Sequence, residues 1–178
     1  MGTPVFNKYQ IEVFWDDEFK RLEYGHEEFN DPHSVNQWIS KGYQSKVTGD
    51  MCDMRKPQPT WNHKFIEFYT AMGWRDIGTS YYRMTTGTVI PEHKDLYKKY
   101  IEIFNLQGQE HTLRRAVVLM EDWCSGHYLE VLGDPMVNWK AGQVAEWTYD
   151  TPHMAANIGL APRYTLQITG WCPEVKND

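Results

Sequence analysis

From Asp76 onward the chain breaks into short runs in which apolar and polar residues alternate, and no other feature limits its possible folds so strongly. IGTSYYRMT, RRAVVLMED, HYLEVLG, MVNW, QVAEWTY, HMAANI and RYTLQITGW follow one another within about a hundred residues, each of strand length and bounded by turn residues. So many closely spaced strands leave no room for the crossover helices of a parallel α/β sheet, and they imply a sandwich or barrel. Gly133 in GDP and Gly142 in KAG supply tight-turn chemistry between three of the runs. Only DLYKKYIEIF interrupts them, with Leu96, Tyr97, Tyr100, Ile101 and Phe104 at helical spacing.

The preceding segment reads as helical. NDPHSVNQWISKGY offers Asp31 as N-cap, Pro32 at the first helical position, Val35, Trp38 and Ile39 on one face, and Gly42 past the end. TWNHKFIEFYTAMGW repeats the pattern with Thr60 as cap, Phe65, Phe68, Tyr69 and Met72 on one face, and Gly73 as stop. Between them KVTGDMCDMRKPQP, punctuated by Gly49, Pro57 and Pro59, reads as a loop. The expectation is mainly β with flanking N-terminal helices: one domain over 1–178, a helical cover over 1–75 and a β core over 76–173.

At 178 residues one core can enclose a pocket. A net charge of −6 gives no general reason to bind a polyanion, so nucleic acid is not the expected partner. Cys52, Cys124 and Cys172 are odd in number and lack CxxC spacing, which excludes a disulfide framework and a cysteine zinc site and fits a reducing cytoplasm. No apolar run approaches membrane-spanning length, and the first residues show no secretory signal.

The candidate chemistry begins in IPEHKD. In extended backbone a histidine and a carboxylate two positions apart point to the same side, so His93 and Asp95 can reach one metal ion. Alone the pair is commonplace. A third ligand completes the facial triad that leaves positions open on non-heme Fe(II). His153, after Thr151–Pro152, is that candidate, and Arg163 follows ten positions later. Two short adjacent strands joined by GLAP would aim His153 at the metal and hold Arg163 deeper in the cavity, where a guanidinium can grip a carboxylate through two parallel hydrogen bonds.

With these residues the sequence resembles the Fe(II)- and 2-oxoglutarate-dependent oxygenases, whose signature is HxD...H...R. YYRMTTGTVIPEHKD is similar to the segment leading into the motif in prolyl and aspartyl/asparaginyl hydroxylase-like members, and VNWKAGQVAEWTYDTPHMAANIG to their later strands. The likeness spans about Ser80 to Trp171. It implies a double-stranded β-helix, the cupin-like jelly roll, with His93, Asp95 and His153 holding Fe(II). It also implies 2-oxoglutarate chelated to the metal with its far carboxylate on Arg163, consumption of O2, release of succinate and CO2, and hydroxylation of a small-molecule or peptidyl substrate. In similar enzymes a residue placed like Tyr82 touches the cosubstrate. Arg115 and His127 lie in strands that could line the barrel, with a structural role the better reading for each, and Trp123, Trp139 and Trp147 could wall the substrate site.

The sequence also departs from the family pattern. Glu92 stands between Pro91 and His93, where many relatives have Pro-His directly, which predicts a loop one residue longer. Trp147 and Tyr149 occupy a region where Phe and Asp are common, leaving the substrate open. Asp95 is retained, whereas the related halogenases have a small residue there to admit halide, so hydroxylation is the implied outcome. The competing reading is a cupin-like metal-containing small-molecule binding module without oxygenase activity. A third is a catalytically silent interaction protein, against which the intact ligands stand.

Overall fold

The computed structural model describes residues 3–43 and 47–173; Met1, Gly2 and Lys46, the first residue of the expected loop, lie outside them. The strands are β1 (Phe6–Gln10), β2 (Gly25–His26), β3 (Asp50–Asp53), β4 (Arg75–Met84), β5 (Thr88–His93), β6 (Leu113–Leu119), β7 (His127–Val131), β8 (Asp134–Met136), β9 (Gln143–Thr148), β10 (His153–Asn157) and β11 (Arg163–Trp171). The helices are α1 (Pro32–Ser40), α2 (Asn62–Ala71) and α3 (Lys98–Ile103). All pairing is antiparallel, in a large sheet ordered β1-β9-β6-β11-β4-β3-β2 and a small one ordered β5-β10-β7-β8.

From β4 on, successive strands switch sheets, except at the β7–β8 hairpin, where Leu132 and Gly133 both take positive φ as a two-residue turn requires. That alternation makes the fold a double-stranded β-helix. Packing follows from the period of two along each strand. On β6, Ala116 and Val118 join Leu166, Ile168 and Tyr81 on the outer face of the large sheet, against Phe65 and Tyr69 of α2 and Trp15, Phe19 and Trp61. Val117 and Leu119 point inward, to Leu129, Val131 and Met136 of the small sheet. The large sheet is thus covered on both faces, which is why RRAVVL reads as a nearly unbroken apolar run.

The N-terminal section corrects the expectation of a helical cover over 1–75. It holds α1 and α2, but also β1, β2 and β3, which extend both edges of the large sheet. DMCD, expected in a loop, is β3. These strands are short and carry charges, such as Lys8 on the edge strand β1 and Asp50 and Asp53 on β3, which hides the apolar alternation. Arg83 pairs across strands with Asp50 at 2.8 Å. Asp31 caps α1 through the His33 amide, as read. Thr60 does not cap α2: Trp61 is the N-cap residue, and the Thr60 amide and hydroxyl bond to Glu18 instead. MVNW contributes only Met136 to a strand, and DLYKKYIEIF is helical only from Lys98, because Tyr97 takes a left-handed conformation at φ 49°.

Two local devices shape the cavity between the sheets. His153 pairs with His93 but Ala155 pairs with Ile90, so β5 carries one extra residue between them, a β-bulge at Pro91–Glu92. Ile90 and His93 are three apart, a spacing that in a regular strand puts side chains on opposite faces. The bulge brings both into the cavity, and the residue expected to lengthen a loop is absorbed in the strand. Gly49 is the second device. A Cβ there would lie 2.4 Å from the Arg83 carbonyl and 3.0 Å from the Tyr82 ring, so only glycine lets this segment close over Tyr82. No helix among the described residues is long and apolar enough to cross a membrane, and the three cysteines are unpaired.

Candidate metal centre

His93 ends β5 and His153 begins β10, and the two are cross-strand partners with ring centroids 4.3 Å apart. Asp95 lies two residues beyond β5. Its Oδ1 is 3.8 Å from His93 Nε2 and its Oδ2 is 3.8 Å from His153 Nε2. The three donor atoms lie within 4.8 Å of one another, the spread of a set that could hold a single ion.

Backbone carbonyls fix the imidazole tautomers. His93 Nδ1 lies 2.8 Å from the Pro91 carbonyl and His153 Nδ1 3.0 Å from that of Thr151. A carbonyl only accepts, so both Nδ1 atoms carry the proton and both Nε2 lone pairs face Asp95, the outer hydrogen bonding that orients metal-binding histidines. Rings confine them further: Phe29 stands edge-on to His93 at 4.8 Å, and Trp147 lies 4.7 Å from His153.

The electrostatics favour ligands over a salt bridge. Burial pushes His153 down to about 4 against the pull of Asp95, so the ring is neutral at physiological pH. Burial alone would raise the Asp95 carboxyl, but Arg115, then His153 and His93, hold it well below the usual carboxylate range. The result is one carboxylate and a neutral imidazole beside His93, the donor set for a borderline divalent cation such as iron.

Arg163 lines the same cavity, of about 440 Å³, together with Tyr82, Ile90, Leu129 and Trp147. It does not sit on a strand beside His153. β10 belongs to the small sheet and β11 to the large one, so the GLAP connection carries the chain across the barrel, correcting the expected adjacent pair. Arg163 is 4 % exposed; its Nη1 meets only the Met84 thioether at 3.0 Å, its Nε has no hydrogen-bond partner, and Trp139 stacks 5.5 Å from the guanidinium. Among the described residues no carboxylate pairs with it. Burial pushes it down to about 10, which still leaves it protonated. Tyr82 stands near it, its phenol raised by burial and its oxygen accepting the Gly49 amide, so the hydroxyl proton is left for another acceptor.

All five residues singled out, His93, Asp95, His153, Arg163 and Tyr82, therefore line one cavity. His127 does not; it is buried, with Nε2 on the Ala161 carbonyl. Arg115 is the surprise, since it reaches the cavity and meets Asp95 at 3.2 Å. A cation two residues before inward-facing Val117 was a usable signal, because it must share that face. Tyr97, whose hydroxyl accepts from Arg115 Nε at 3.3 Å, has no such signal.

No family model and no curated protein matches the chain. Among solved structures, a prolyl-4-hydroxylase from Pseudomonas putida is similar over 94% of this chain and 92% of its own, at 13% identity and a TM-score of 0.53. KdgF from Halomonas sp. is similar over 74% and 86%, at 8% identity and 0.43. A Klebsiella pneumoniae protein with a double-stranded β-helix domain is similar over 53% and 67%, at 14% identity and 0.36. At such identities the likeness is one of fold.

Proposed function

We propose that the protein is an Fe(II)- and 2-oxoglutarate-dependent oxygenase that hydroxylates an amino acid or a peptidyl side chain. The observation that carries this reading is Arg163: a buried guanidinium with an unpartnered Nε, facing the cavity that holds the triad. A buried cation without an anion is costly, and a metal-only module has no need of one. A dicarboxylate cosubstrate supplies the missing anion.

His93, Asp95 and His153 would hold the iron. When bound, it supplies, with dioxygen, the oxidation that converts 2-oxoglutarate to succinate and CO2 and hydroxylates the substrate. Arg163 would take the far carboxylate through two parallel hydrogen bonds, with Tyr82 donating a third. Ile90, Leu129 and Trp147 keep water from the cavity wall. Glu27, Glu28, Lys98 and Lys99 also line it, and charges of both signs suit an amino-acid or peptide substrate better than a polyanion.

The test is an anaerobic titration of apoprotein with Fe(II) and 2-oxoglutarate, following the weak visible charge-transfer band of the chelate. The band should form in the parent and need more than about 30-fold higher 2-oxoglutarate in Arg163→Ala, the loss expected for a buried charge pair. Metal binding with no band at any cosubstrate concentration would replace the oxygenase with a cupin-like binding module.

A further inference from the structure

We infer that Arg115, braced by Tyr97, is a positioning residue for Asp95, fixing the rotation of its carboxylate between the two imidazoles. The inference rests on the metal reading above. Arg115 projects from β6, on the sheet opposite the triad, and its Nη2 lies 3.2 Å from Asp95 Oδ2. Its Nε donates to the Tyr97 hydroxyl at 3.3 Å, and its Nη1 to Gln167 Oε1 at 3.4 Å. The Tyr97 ring also lies under the guanidinium at 5.1 Å. Each of the three guanidinium nitrogens thus has a partner, two in the connection between β5 and α3 and one on β11.

A free carboxylate on a loop can rotate and bind an ion through either oxygen or both. With Oδ2 held by a charge-assisted bond, the carboxylate keeps the rotation in which Oδ1 faces His93 Nε2 and Oδ2 faces His153 Nε2, each at 3.8 Å. Tyr97 occupies a left-handed backbone position, φ 49°, one that a ring-bearing residue rarely adopts, and its hydroxyl meets Arg115 Nε.

A positioning role and mere proximity have opposite signs. A cation beside the site repels a divalent ion, so deleting a bystander Arg115 would tighten metal binding, whereas deleting a positioning residue weakens it. Mn(II) affinity of the apoprotein, measured by EPR titration with each variant held below its melting temperature, separates the two. The expected result is a 10- to 100-fold loss in Arg115→Gln, part of it restored in Arg115→Lys, and a smaller loss in Tyr97→Phe. Unchanged or tighter binding by folded Arg115→Gln overturns the inference. If that variant does not melt cooperatively, Tyr97→Phe decides, and parental affinity there overturns it. Failure of the parent itself to bind Mn(II) removes the metal reading and this inference together; parental binding that His153→Ala abolishes keeps the two questions apart.

Discussion

The two sheets contribute differently to the cavity between them. The small sheet and the loop leaving it carry the three metal-ligand candidates, His93, Asp95 and His153, at the end of its β5 edge. The large sheet carries the cations and the phenol, Arg115, Arg163 and Tyr82, on strands buried on both faces. A cation on a doubly covered strand cannot swing out to water, so it must be matched by an anion inside. Arg115 has Asp95, whereas Arg163 has none among the described residues. Ligand geometry and anion demand are thus set by separate parts of the structure and meet only across the cavity.

Crossed substitutions would break this comparison most sharply. His153→Ala should abolish measurable Mn(II) binding, while Arg163→Ala should leave it within about threefold, since distant sites act nearly independently; calorimetric titration of both variants reads this directly, and equal losses would show that the sheets do not act separately. Next in size is stability. Phe65 is fully buried against the outer face of the large sheet, so Phe65→Ala should cost about 3–5 kcal/mol in urea unfolding. Glu130→Ala, on the outward face of the small sheet, should stay within about 0.5 kcal/mol.

The last effect concerns acid. His153 is held at about 4 in the folded state against an ordinary 6.5, so between these values the unfolded chain binds more protons. Stability of the apoprotein should therefore fall as pH drops from about 6.5 toward 4 and level off for this group below that. Asp95, held below the usual range, adds a loss only at still lower pH. His153→Gln should flatten the first window, and an unchanged slope would place the acid sensitivity elsewhere.

How far the sequence revealed this arrangement depended on whether a signal was local. The β runs, the α1 cap at Asp31 and the His-x-Asp pair are local patterns, and they read through. His153 and Arg163 could be singled out because each stands beside punctuation, Thr151–Pro152 and GLAP, and the fold brings both to one cavity. What stayed hidden depends on pairing between distant segments. Arg115 meets Asp95 only because β6 lies beside β11 across the barrel, and β3 exists only because β4 offers it an edge. The bulge was visible as an extra Glu92, but whether it lengthened a loop or bent a strand depended on the register with β10.

That register has a consequence for chain topology. β5 is an edge strand with a single hydrogen-bonded neighbour. An ion shared by His93 and His153 would tie that edge to its neighbour as a cross-link closing a loop of about 60 residues, an entropic restraint of the order of 4 kcal/mol by analogy with a disulfide of that span. The amides of Val89 and Ile90 should then exchange with solvent more slowly in the metal-loaded protein than in the apoprotein, making the ion a clasp for the end of the barrel that the chain alone leaves open.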